Sequence, residues 1–271
     1  MSAEKRAIGD IRSDAAAELF LVGAGVCFPD QLTSEALEAL RRSRAILTIV
    51  PQTALRDLTP TLLSKCVTLW HLYEPLRPRA ENYRAVVDSV LDRAKEGGTT
   101  SWLTPGHPLV FDSVSEGLRR EAPPLGITVH VLPAVSCIDT ILADVGYEPA
   151  NGLVIHEATV VVAGRIPLNP DLAAILLQIG VFGTNMPRLT GSEPMPELAP
   201  LRDHLLRFFP PEHRVAFVRS RWSSQSPGSV EWTPLARMLE VMKQRVDGTT
   251  LFVPRLDRRG LVEQTAAAAT P

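Results

Sequence analysis

The sequence predicts a mixed α/β protein. Short apolar, strand-like runs alternate with segments of helical periodicity along most of the chain, and a glycine-rich turn follows the first run. With 45% hydrophobic and 21% charged residues among 271, the chain can bury a substantial core in one large or two modest domains. Residues 18–22 read as the opening strand, which breaks at Gly23-Ala24-Gly25. Thr33 then caps a helix to about Arg42, with Leu37 and Leu40 on one face and Glu35 in the first turn. Residues 46–50 are the next strand. From Ala80 onward, Tyr83, Val86, Val87, Val90, Leu91 and Ala94 follow the i, i+3, i+4, i+7 spacing of an amphipathic helix, which Gly97-Gly98 stops.

Residues 99–103 form a strand that runs into Pro105-Gly106-His107-Pro108, and Asp112 or Ser113 caps a short helix toward Arg120. Residues 127–132 are a further strand. Ser136 and Asp139 make a capping box for a helix to about Val145, because each side chain satisfies an orphan amide of the other. The second half repeats the rhythm, with strands at 173–179, 214–218 and 249–253 and helices at 197–209 and 234–244. Residues 121–126, with Pro123-Pro124, read as an interdomain linker. The expected division is therefore a disordered lead-in (1–17), an N-terminal α/β domain (18–122), a C-terminal α/β domain (123–256) and a flexible tail (257–271).

Composition excludes several functions. The 28 Lys+Arg against 30 Asp+Glu leave a net charge of −2, so no broad positive field exists for nucleic acid or an anionic membrane. Cys27, Cys66 and Cys137 are far apart and form no C-x-x-C pair, which argues against a disulfide framework or structural zinc and for a reducing cytoplasm. The first residues lack the apolar core of a secretory signal. No run approaches the about 18 uninterrupted apolar residues of a membrane span.

Three segments carry candidate chemistry. Val22-Gly23-Ala24-Gly25 is either a tight turn at a strand end or part of a ligand loop; it lacks the third glycine and acidic residue of a dinucleotide fingerprint. Residues 103–111, Leu-Thr-Pro-Gly-His-Pro-Leu-Val-Phe, place a glycine between prolines at a strand's carboxyl end, where open α/β sheets bind small molecules; a rigid turn with a hydrogen-bonded loop histidine reads the same way. No His-Glu-x-x-His spacing occurs, so metal catalysis has no support. The third segment runs from Tyr73 to Tyr83, two of only three tyrosines in the chain. Arg79 and Tyr83 lie four apart and share a helix face if the helix begins near Pro78, with Tyr73 on a proline-stiffened loop upstream. A guanidinium beside a phenol favours phenolate, so the trio can serve as general base and anion stabiliser, or simply pack as an Arg between half-buried tyrosines.

The order and spacing of these segments over about residues 18–254 resemble the tetrapyrrole methylases, S-adenosylmethionine-dependent methyltransferases of a two-domain α/β fold. The resemblance rests on the strand with Val22-Gly23-Ala24-Gly25 and Leu32-Thr33, on Gly106-His107-Pro108-Leu109-Val110-Phe111, and on Leu132-Pro133-Ala134-Val135-Ser136. His107 stands where the family usually has Asp, and Ala134 where it has Gly. Gly106-His107-Pro108, the segment Ile138-Asp139-Thr140-Ile141-Leu142-Ala143-Asp144, His156-Glu157-Ala158 and Leu177-Gln178-Ile179-Gly180 are similar to the borosin α-N-methyltransferases, which methylate backbone amides of ribosomal peptides.

That resemblance implies a catalytic cluster of Tyr73, Arg79 and Tyr83, and cofactor contacts from Pro105, Gly106, His107, Val110, Ser136, Cys137, Gln178, Thr249 and Thr250, although Thr249 also simply begins a strand. It further implies a dimer with S-adenosyl-L-methionine held between the domains, S-adenosyl-L-homocysteine as product, and no metal, since a sulfonium methyl is already electrophilic. Fused borosins carry their substrate at their own carboxyl end, whereas residues 264–271 are too short and plain for a core peptide, so a separate precursor peptide, as in split borosins, is the expected partner. The alternatives are methylation of a tetrapyrrole or other small molecule, and a non-catalytic peptide-binding protein on the same fold.

Overall fold

A computed structural model describes residues 17–189, 193–223, 226–241 and 248–256. The lead-in other than its last residue, the tail, and residues 242–244 of the helix read at 234–244 lie outside the described residues. The chain forms two compact units, each built on a five-stranded sheet. One takes the chain up to Ala24 with Gln31–Leu72 and Tyr83–Ala134; the other takes Gly25–Asp30, Tyr73–Asn82 and the chain from Val135.

The first unit contains β1 (Glu18–Gly23), β2 (Ala45–Thr48), β3 (Cys66–Thr68), β4 (Thr99–Thr104) and β5 (Thr128–Leu132), all parallel in the order β3-β2-β4-β1-β5. Its helices are α1 (Ser34–Arg42), α2 (Gln52–Leu55), α3 (Pro60–Leu63), most of α4 (Arg79–Lys95) and α5 (Ser113–Glu121). β1, β2 and β4 are buried almost throughout because helices cover both faces of a parallel sheet. Thr33 accepts from the Ala36 amide to start α1, and Asp112 accepts from the Val114 and Ser115 amides to start α5. α4 buries Val86, Val87, Val90, Leu91 and Ala94, the face read from periodicity. Trp102 is fully buried and donates its indole N–H to Ser115 Oγ at 3.2 Å.

The second unit contains α6 (Cys137–Val145), β6 (Leu153–Glu157), α7 (Ala158–Ala163), β7 (Ala173–Leu177), α8 (Ala199–Leu205), β8 (Arg214–Arg219), β9 (Ser229–Pro234), α9 (Met238–Val241) and β10 (Thr250–Val253). Its sheet runs β6-β7-β10-β8-β9, parallel between β6 and β7 and antiparallel elsewhere. The two-residue period of the strands feeds two cores. Ala174, Leu176, Val215, Phe217, Leu251 and Val253 pack with α7, α8 and Met238, whereas Ala173, Ile175, Leu177, Ala216, Val218 and Phe252 pack with Ile141 of α6.

Several sequence expectations shift. The segment read as a linker connects α5 to β5 inside the first unit: Pro123–Leu125 is a 3-10 turn closed by Gly126 at φ 76°, and β5 pairs with β1. Two prolines before a glycine are as apt for such a turn as for a linker. β7 stops at Leu177 because Gln178 turns left-handed, and α8 is shorter than the helix read at 197–209. Pro234 ends β9 rather than starting a helix, which an edge strand tolerates because its unpaired side needs no donor.

One pH dependence follows from this unit. His213 stacks on Phe209 and pairs with the Pro254 carbonyl at 2.9 Å, and burial pushes its pKa below the ordinary 6.5 against the opposing pull of that carbonyl and of Glu212. The unfolded chain therefore binds the proton first on acidification, so stability is intact above about pH 6.5 and falls as the pH drops through that value toward the lower folded pKa. Melting temperatures of the wild type and His213→Gln, compared between about pH 7.5 and 5, should converge at the acidic end, with the variant flatter.

Candidate active site

In the first unit, in-register pairing sets Gly23 beside Thr104 and Val22 beside both Leu103 and Leu132, so β1, β4 and β5 release their loops at one sheet edge. The Ala24 amide donates to the Thr104 carbonyl at 2.8 Å. A Cβ on Gly23 would lie 2.5 Å from the Gly106 carbonyl oxygen, 2.5 Å from Ala134 Cβ and 2.9 Å from Pro108 Cδ. The three segments on which the tetrapyrrole methylase resemblance rests thus meet at a point that only glycine fits. Gly106 has φ 71°, and open space lies where its side chain would point, so backbone is presented for close approach by a ligand. His107 belongs to the same turn: its Nδ1 accepts from the Leu109 amide at 3.0 Å, which puts the proton of the neutral ring on Nε2, and its carbonyl accepts from the Val110 amide. Pro105, Gly106, His107 and Val110 therefore share one loop. This edge, with its bare backbone, fits an extended polar ligand such as S-adenosylmethionine.

The second unit places Cys137 and Thr250 in one hollow and Arg79 and Gln178 in another. Cys137 and Thr250 line a cavity of about 590 Å³ with Ile141, Val218, Arg219 and Trp222. Ser136 is occupied by the predicted capping box: its Oγ accepts from the Ile138 and Asp139 amides while its own amide donates to Asp139 at 2.7 Å. Burial pushes the Cys137 thiol up, so it stays protonated at neutral pH. Thr249 is buried immediately before β10.

Gln178 lines a different cleft, of about 640 Å³, with Arg79, Glu157, Thr159, Thr184 and Asn185. Arg79 opens α4, where its amide donates to the Asn185 carbonyl at 2.7 Å. Its guanidinium donates to Gln178 Oε1 at 2.8 Å and to the Thr184 carbonyl at 2.9 Å. Both acceptors are neutral, and among the described residues no carboxylate forms an ion pair with Arg79, while the Glu157 carboxylate lines the same cleft. Tyr83 follows one turn along α4 and is half-buried, as is Tyr73. Sequence reasoning missed Asn82. It is fully buried, accepts from the Glu74 amide and donates to the Glu74 and Arg77 carbonyls, all at 3.1 Å. It thereby ties the loop after Tyr73 to the first turn of α4, and no spacing rule marks an asparagine for that task. Among the described residues no group of three or more His, Cys, Asp or Glu side chains is placed to hold a metal, and no helix is long and apolar enough to cross a membrane.

The sequence profile of the Tetrapyrrole (Corrin/Porphyrin) Methylases matches residues 18–223. The chain belongs to this family. Among relatives, a methyltransferase/ribosomally synthesized type III borosin cyclic peptide precursor from Anomoporia bombycina is 25% identical over 253 residues, 92% of this chain and 29% of the relative. A type I borosin methyltransferase/precursor from Gymnopilus junonius is 27% identical over 251 residues, 89% of this chain and 58% of the relative. The chain thus spans under two thirds of the length of either. Among solved structures, uroporphyrin-III-C-methyltransferase from Thermus thermophilus superposes with a TM-score of 0.62 at 20% identity, covering 92% of this chain and 96% of that one.

Proposed function

We propose that this chain N-methylates backbone amides of a separate ribosomally made precursor peptide, as a split borosin methyltransferase, and that it works as a homodimer in the cytoplasm. The observation that carries the reading is Arg79, whose guanidinium is held in an open cleft by two neutral acceptors and which stands between Tyr73 and Tyr83 along the chain in the borosin order. A peptide nitrogen is a poor nucleophile because its lone pair is delocalised into the carbonyl, so methylation needs imidate character. Arg79 stabilises the negative charge that develops on the amide oxygen, and Tyr83 or Tyr73 accepts or relays the N–H proton, a neutral phenol passing its own proton on to water as it receives the amide's. S-adenosylmethionine, when bound, supplies an electrophilic methyl on sulfonium sulfur and leaves as S-adenosylhomocysteine. The chain's own task is to hold the nitrogen in line and to exclude competing nucleophiles. Gly106, His107 and their loop are the residues of the first unit that we assign to that cofactor.

The reading is tested by incubating the full chain with S-adenosylmethionine and the short peptide encoded by an open reading frame beside its gene, then weighing the peptide. Whole methyl increments that need both enzyme and cofactor support it. An unchanged peptide alongside an enzyme that binds the cofactor argues for another substrate.

A further inference from the structure

Gln178 occupies a conformation that few glutamines adopt. At the end of β7 its backbone is left-handed, φ 61° and ψ 29°, a strained state that Gly or Asn would ordinarily fill. The strain comes with a contact: Gln178 Oε1 accepts from Arg79 Nη1 at 2.8 Å. The chain that follows completes the grip, with the Thr184 carbonyl on Nη2 and the Asn185 carbonyl on the Arg79 amide. That segment is itself pinned, because the Gly183 amide donates to Thr159 Oγ1 and the Met186 amide to Thr184 Oγ1, both at 3.1 Å.

We infer that Gln178 is a positioning residue for Arg79: its neutral amide oxygen orients the guanidinium in the cleft without cancelling its charge. This deepens the proposed function and rests on its reading of Arg79. An acidic residue in the same place would hold the fork at least as firmly, through a charge-assisted bond, but would neutralise the group needed against a developing oxyanion. A left-handed asparagine would suit the backbone better but falls one methylene short of Arg79. Glutamine has both reach and neutrality, at the cost of local strain. Its role is therefore distinct from a contact with the cofactor, and the cavity lined by Cys137 and Thr250 does not include it.

The test compares Gln178→Asn and Gln178→Glu with the wild type and with Arg79→Ala, each as the full chain. Calorimetry with S-adenosylmethionine should give affinities within about twofold of wild type for both Gln178 variants. A crystal structure of Gln178→Asn should show the Arg79 guanidinium turned away or spread over rotamers, and one of Gln178→Glu should show it in place. On the precursor peptide, both should lose roughly tenfold or more in kcat with little change in KM. A roughly tenfold loss of cofactor affinity, or an Arg79 that superposes on the wild type in Gln178→Asn, overturns the inference even if no peptide is turned over. Full kcat in both Gln178 variants, with Arg79→Ala inactive, also overturns it while leaving the reading of Arg79 intact. Full turnover by Arg79→Ala defeats that reading itself.

Discussion

Arg79→Ala should lower kcat for methyl transfer by about 10²- to 10³-fold while leaving S-adenosylmethionine affinity nearly unchanged, because removing one preorganised donor to a developing oxyanion costs about 2.7–4 kcal/mol in the transition state. The guanidinium meets the conditions for that role: two neutral acceptors fix its plane, no carboxylate of the described residues forms an ion pair with it, and it lines an open cleft. Arg79→Lys keeps the charge but cannot span Gln178 Oε1 and the Thr184 carbonyl in one plane, so it should recover only part of the rate. Stability should change little, since water in the cleft can satisfy both freed acceptors. Single-turnover rates and calorimetry on the same preparations separate these effects. A variant that loses cofactor affinity and rate in the same proportion would move Arg79 from the chemical step to cofactor binding.

Gly23→Ala should be the most damaging conservative change at the loops we assign to the cofactor. The new methyl would sit 2.5 Å from a backbone oxygen and 2.5 Å from Ala134 Cβ, and neither is the end of a flexible side chain. The ends of β1, β4 and β5 are locked in register, so relief requires shifting the Gly106 and Ala134 loops themselves. We expect a loss of about 1–3 kcal/mol in stability and a fall of roughly tenfold or more in cofactor affinity. Gly106→Ala is the contrast. Nothing lies within 4 Å of its added Cβ, so it should incur only the left-handed strain of about 1–2 kcal/mol. Thermal unfolding and calorimetry on the two variants check the order; equal effects at both positions would mean that the meeting point at Gly23 is not what shapes the loops.

Periodicity made the longest helix legible, because six apolar positions at helical spacing before Gly97-Gly98 leave one face to bury, and α4 buries Val86 through Ala94 on it. The Ser136–Asp139 capping box was equally local and forms as read. What escaped depends on distant partners. β3 has three residues and lies at an edge, too short to show alternation, and Pro234 looks like a helix start until its pairing opposite Arg214 is known. The order Tyr73, Arg79, Tyr83 could be read from sequence, but the acceptors that hold Arg79 lie about a hundred residues away at Gln178 and Thr184. The turn that brings Gln178 there contradicts local preference, as strained positions at functional sites do.

The most direct measurement offers the full chain S-adenosylmethionine together with the neighbouring-gene precursor peptide and uroporphyrinogen III in one reaction, with fragmentation mass spectrometry of both products. Our account predicts methyl groups on backbone nitrogens of the peptide, placed between adjacent fragment ions, and an unmodified tetrapyrrole. Methyl groups on tetrapyrrole carbon with an untouched peptide would contradict it.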